Sequence, residues 1–194
     1  MVTRRSNRSI LIGLSALVLL TAADLYTKQL AVEALSQEAL HTGPGPCEPD
    51  ASDRIYMQRN RSGEVVLIEN FLELRYTENC GAAFGMLHDA PRWLRYGLFM
   101  TAAAIAVAVL LWMFVRGSGG ALFAASVPLV ASGALGNLVD RVRHIYVVDF
   151  IRFHIYDVFE WPTFNVADSA ITVGVILLLL DGFRREVVDK KTGS

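Results

Sequence analysis

Four apolar runs, each close to the length of a bilayer crossing, constrain this chain more than any other feature. They lie at about 10–33, 94–115, 119–140 and 163–182. The first begins ILIGLSALVLLTAA, and the second is free of charge from Tyr96 to Val115. The third is GGALFAASVPLVASGALGNLVD, and the fourth is rich in leucine after Asp168. A hydrocarbon core needs roughly 20 apolar residues in a helix, so the expected fold class is an α-helical membrane protein with four transmembrane helices. The composition agrees: the 194 residues are 53% hydrophobic and 19% charged, with mean hydropathy +0.39. A soluble domain carries more charge and fewer long apolar runs. A net charge of −1 argues against a nucleic-acid partner, which calls for a basic surface.

Four crossings put both termini on one side. Short basic flanks mark that side: Arg4, Arg5 and Arg8 before the first run, Arg116 after the second, then Arg184, Arg185, Lys190 and Lys191. By the positive-inside rule both termini are cytoplasmic. Two longer loops, about 34–93 and 141–162, then lie on the outer side. The basic start and the Thr21-Ala22-Ala23 stretch resemble a cleaved signal peptide, but the run continues through Asp24-Leu25-Tyr26-Thr27-Lys28 and reads as a retained helix. Residues 1–194 are expected to form a single membrane-embedded domain.

Charged groups at the ends of such runs are expensive in lipid and are functional candidates for that reason. The stretch 136–168, GNLVDRVRHIYVVDFIRFHIYDVFEWPTFNVAD, holds Asn137, Asp140, Arg141, Asp149, Asn165 and Asp168. Asp149 sits among apolar neighbours and Asp168 opens the fourth run. They are 19 residues apart, so a hairpin-like return has to join them. In the first run Asp24 and Lys28 are four apart and share a helix face; they read as a pair supporting the site. A helix-end ion network accounts for Asp140, whereas the Arg141 guanidinium suits a substrate carbonyl. The second run shows no polar group that needs explaining.

The first outer loop opens on HTGPGPCEPDASDR, an irregular excursion. Residues 64–69 and 71–76 then read as short strands of a small sheet on the membrane. Asn79-Cys80-Gly81-Ala82-Ala83-Phe84-Gly85 follows, where small residues permit close approach. Cys47 and Cys80 face an oxidising compartment on this topology; the sequence leaves open whether they pair. The aromatic residues Tyr146, Phe150, Phe153, Tyr156, Phe159 and Trp161 suit a bilayer interface.

Two carboxylates in one desolvated site share a proton: the ionised member activates water and the protonated one hydrogen-bonds a carbonyl. No cofactor or metal is needed. Paired acids alone fit two other functions, a proton relay or transporter and a metal-dependent lipid phosphatase or transferase. The first lacks an internal repeat, and the second calls for more acids or histidines than Asp149, Asp168, His144 and His154.

Taken in order, Asp24 with Thr27-Lys28, NCGAAFG, GNLVDR, VVDFI and FNVADS resemble the lipoprotein signal peptidase (signal peptidase II) family of bacterial membrane aspartic peptidases. The resemblance implies that Asp149 and Asp168 are catalytic. It implies that Asp24, Lys28, Asn79, Gly81, Asn137, Asp140, Arg141 and Asn165 bind substrate or brace the site. It also implies a small periplasmic β-cradle, supplied by the first outer loop, and a short periplasmic amphipathic helix from the 150–161 region. The implied substrates are prolipoproteins whose lipobox cysteine carries diacylglycerol, cut just before that cysteine at the periplasmic side of the inner membrane. Membrane lipid is the other implied partner, the protein would act as a monomer, and globomycin would inhibit it. The outer loop from about 36 to 63, with its CEPDASD stretch, is longer than is usual in the family.

Overall fold

The computed structural model describes residues 4–36, 47, 58–60, 63–80, 91–156 and 158–192. The four apolar runs form helices α1 (Asn7–Leu35), α2 (Arg92–Val115), α3 (Ala121–His144) and α4 (Val166–Thr192), each containing a segment long and apolar enough to cross a membrane. Helices satisfy their own backbone groups, which lipid cannot do. About half of the spanning segment of α3 is buried, against 11% for α1 and α2, so α3 is the central helix. Its small residues are the reason. A Cβ on Gly133 would run into the Ala167 carbonyl oxygen, and one on Gly136 into Asp24 Oδ2. These two glycines therefore set how closely α4 and α1 approach α3. The outward faces show exposed apolar side chains, among them Leu19, Ile105, Trp112 and Leu179, as lipid-facing positions do.

One end of the bundle is tied by polar contacts to helix termini. Ser6 Oγ accepts from the Ser9 N–H at the start of α1, and the Arg5 guanidinium donates to the carbonyls of Phe114 and Ser118 at 3.0 and 2.9 Å. The Asp181 carboxylate takes up the free N–H groups of Gly120 and Phe123 at the start of α3. Arg185 pairs with Asp181 at 2.8 Å.

The opposite end carries an antiparallel sheet of strands β1 (Gln58–Asn60), β2 (Val65–Ile68), β3 (Leu72–Asn79), β4 (Val147–Ile155) and β5 (Phe159–Phe164). The order is β1-β3-β4-β5, with β2 also paired to β3. The strands expected near 64–69 and 71–76 are β2 and β3. The short amphipathic helix expected in 150–161 is not formed: apart from Asp157, outside the described residues, that stretch lies in β4, a turn and β5. Its β-branched and aromatic residues favour extended backbone, and β4 pairs with β3 over most of its length. Both outer loops thus build the sheet. Pro162 sits in β5, an edge strand, where a missing N–H is tolerated.

Ala31 and Leu35 of α1 pack against Tyr76 of β3 and Val148 and Phe150 of β4, fixing the sheet on the bundle. Cross-strand charges hold its outer part: Glu73 Oε2 is 2.6 Å from Arg152 Nη1, and Glu73 Oε1 is 3.0 Å from His154 Nε2. Burial alone would raise the proton affinity of Glu73. The hydrogen bonds from Arg152 and His154 prevail and hold it below the usual carboxylate range. Cys47 and Cys80 form a disulfide, which settles the pairing that the sequence left open. The Cys47 sulfur also lies 3.8 Å from the Ile145 carbonyl oxygen, at the junction of α3 and β4.

Candidate active site

The site lies where the sheet meets the bundle, and it begins with a buried ammonium. Lys28 is 2% exposed. Its Nζ lies 2.9 Å from Asp24 Oδ2, 2.9 Å from Asp140 Oδ2 and 2.8 Å from Asn137 Oδ1. Two ion pairs and one hydrogen bond surround the ammonium, which is what makes a buried charge tolerable. The two acids paired to Lys28 also reach backbone. Asp24 Oδ1 accepts from the Ala167 N–H at 2.8 Å, and Asp140 Oδ2 from the Val148 N–H at 3.1 Å. Val148 and Ala167 immediately precede Asp149 and Asp168, so one ammonium fixes the backbone entering both candidate acids.

The chain reaches Asp149 through a tight turn. Ile145 ends α3 in the left-handed region, at φ 73°, and its N–H closes on the Arg141 carbonyl. A β-branched residue is strained there, and strain of this kind gathers at functional sites. Asp149 follows in β4 and is fully buried. Its Oδ2 accepts from Asn79 Nδ2 at 2.8 Å and its Oδ1 from Asn165 Nδ2 at 2.7 Å. Burial, then the negative charge of Asp168, push its carboxyl well above the usual range.

Asp168 is placed by the start of α4. The Asn165 Oδ1 accepts from the Asp168 N–H at 2.9 Å, and Asp168 Oδ2 accepts from the Asn165 N–H at 3.2 Å. This reciprocal pair is a capping box. Asn137 Nδ2 donates to Asp168 Oδ1 at 2.8 Å. Asn165 Nδ2 is directed at the Val148 carbonyl and Asn137 Oδ1 as well as Asp149. Asn165 is therefore the residue shared by the two carboxyl groups.

Eight of the site residues singled out in the sequence, with Asp149 and Asp168 among them, interlock here: Asp24, Lys28, Asn79, Asn137, Asp140, Asn165 and the two acids. Arg141 lies beside them, donating to the Asn137 carbonyl at 3.3 Å and within reach of the charges of Asp149, Asp168 and Asp140. Gly81, with the rest of 81–85, lies outside the described residues. Two neighbours were not anticipated. Tyr96, at the start of the second span, donates its hydroxyl to the Arg141 carbonyl at 2.8 Å. Thr77 stands directly across from Asp149 in the β3–β4 register. The alternating pattern of β3 could have pointed to Thr77, since it shares a face with Asn79; a tyrosine opening an apolar helix gives no comparable signal.

Four spanning helices under a small sheet, with the buried Asp149 and the half-buried Asp168 sharing Asn165 at their junction, are the architecture of a membrane-embedded aspartic peptidase. The chain belongs to the signal peptidase (SPase) II family, whose model matches residues 16–184. It is 44% identical over 124 residues to the lipoprotein signal peptidase of Cupriavidus necator, covering 63% of this chain and 69% of that one. It is 39% identical over 130 residues to that of Shewanella amazonensis, covering 66% and 76%. Two bacterial membrane enzyme structures obtained by the in meso method share the fold. One has a TM-score of 0.68 at 24% identity, covering 100% of this chain and 96% of that one. The other has a TM-score of 0.63 at 25% identity, covering 93% and 96%.

Proposed function

We propose that this peptidase removes signal peptides from diacylglyceryl-modified prolipoproteins, cutting just before the lipidated cysteine, with Asp149 and Asp168 as its catalytic dyad. The observation that carries the assignment is the bridging of the two carboxyl groups by Asn165, in a site where Asp149 has no exposure to solvent. Asp149, whose proton is held tightly, hydrogen-bonds the scissile carbonyl oxygen. Asp168 takes a proton from water as the oxygen of that water bonds to the carbonyl carbon, and Asp149 passes its own proton to the carbonyl oxygen. The tetrahedral diol then collapses. Asp168 returns its proton to the leaving nitrogen, the C–N bond breaks, and Asp149 recovers a proton as the carbonyl re-forms. Asn79, Asn137 and Asn165 hold the carboxyl groups in place throughout, and Arg141 binds a peptide carbonyl of the substrate. No step calls for a cofactor.

A substrate with two acyl chains is anchored in the bilayer and presents its scissile bond near the surface, the depth expected for a site at the helix–sheet junction. The site faces the periplasm, and both termini lie in the cytoplasm of the bacterial inner membrane. The basic tails support this orientation, and so does the Cys47–Cys80 disulfide on the site's side, since such bonds persist in oxidising compartments. The chain works as one domain over 1–194, as a monomer in contact with lipid, and globomycin competes at this site.

The test is cleavage in detergent, with EDTA present, of two lipobox peptides that differ only in diacylglyceryl modification of the cysteine. The expected result is a single cut before the cysteine of the modified peptide and none in the other. Equal cleavage of both, a cut elsewhere, or loss of activity in EDTA would overturn the reading.

A further inference from the structure

We propose that Thr77 is a positioning residue of the dyad, whose hydroxyl donates to the Asp149 carboxylate when Asp149 gives up its proton. The proposal rests on the catalytic reading above. Thr77 is 2% exposed, and its Oγ1 is buried with no hydrogen-bond partner among the described residues. Buried hydroxyls are paired as a rule, and an orphan calls for a reason. Its place supplies one. Thr77 is the direct cross-strand partner of Asp149, and directly opposed side chains stand on one face of a sheet with Cβ atoms about 5 Å apart. Asn79, two residues further along the same face, already donates to Asp149 at 2.8 Å.

Among the described residues, side-chain amides donate to both Asp149 oxygens, Asn79 to Oδ2 and Asn165 to Oδ1. Once the proton has passed to the scissile carbonyl oxygen, Asp149 is a buried carboxylate, and such a group is stabilised by additional donors. The other charges acting on it come from the helices: Asp168 on α4, Lys28 on α1 and Arg141 on α3. Lys28 already engages Asp24, Asp140 and Asn137. A threonine hydroxyl turns about its own C–O bond without moving the backbone, so Thr77 can be idle in the resting site and engaged one step later.

The experiment compares Thr77→Val, Thr77→Ser and Asp149→Asn with the wild type on the diacylglyceryl-modified lipobox peptide. It measures kcat and KM across pH, and thermal unfolding in detergent. Valine keeps the shape and removes the hydroxyl. The expected result is a kcat lowered about tenfold or more with KM unchanged and the limb set by Asp149 moved to higher pH. Tm should be equal or higher, because a buried orphan has been removed. Thr77→Ser should restore kcat and the pH profile. Wild-type kcat and pH profile in Thr77→Val would overturn the proposal, as would a Thr77→Ser as impaired as Thr77→Val. Should Thr77→Val not fold, Thr77→Ala, which also lacks the hydroxyl, is read by the same criteria. An inactive Asp149→Asn beside a normal Thr77→Val sinks this inference alone, whereas an active Asp149→Asn sinks the dyad reading itself.

Discussion

At the scale of single residues, the site depends on a chain of contacts that starts at Lys28 and ends at the two acids. Its ammonium pairs with Asp24 and Asp140, and those carboxylates hold the N–H groups of Ala167 and Val148, just ahead of Asp168 and Asp149. Asp149 itself leads to a pH prediction. Its folded-state proton affinity is raised, first by burial and then by Asp168. The stability it contributes is therefore full below the unfolded carboxyl value and is lost as pH rises through the folded one. Asp149→Asn has no such titration. Thermal unfolding in detergent from about pH 5 to 8 should show wild type losing Tm relative to the variant as pH rises, and parallel curves would contradict the burial argument. The acids and asparagines were legible in the sequence because polar groups at the ends of apolar runs stand out. Their partners were not, because Lys28 and Asn137 are 109 residues apart and only the fold brings them together. That Asp168 opens the fourth run was legible, but its capping pair with Asn165, and the second task of Asn165 in holding Asp149, were not.

At the scale of elements, close approach of α1 and α3 is what lets Asp24 reach α4, and Gly136 permits it. A methyl group there would meet the Asp24 carboxylate. Gly136→Ala should lower stability by about 1–3 kcal/mol, seen as a fall of Tm in detergent, with turnover falling too as the Ala167 N–H is released. Unchanged Tm and turnover would show that the helices have room to spare. The helices were legible because an apolar run near 20 residues has few alternatives in lipid, and β2 and β3 showed strand-type alternation. The 150–161 stretch misled because aromatic interfacial residues suit a helix lying flat on the membrane as well as a strand. What decides it is β3, whose pairing from Leu72 to Asn79 commits β4 to extended backbone, and that partner is 70 residues away from β4 in the chain at the Asn79–Asp149 contact.

At the scale of the whole molecule, apolar helices hold a sheet over a polar junction, and strands β1–β3 from the first outer loop join β4 and β5 from the second in that one sheet. The disulfide adds a clasp from the first loop to Cys80, next to Asn79. The four membrane-spanning runs and the gathering of polar residues at one end of them could be read from the chain; the clasp could not, because cysteine spacing carries no distance. All of this converges on one claim, that Asp149 and Asp168 act as a pair. The measurement that tests it most directly is single-turnover cleavage of the modified lipobox peptide by folded Asp149→Asn and Asp168→Asn variants. The account predicts that each alone lowers the rate by at least about a thousandfold, and that the double variant is scarcely worse, because the two acids work as a unit. Near-normal turnover in either single variant would contradict it and turn attention to Asp140.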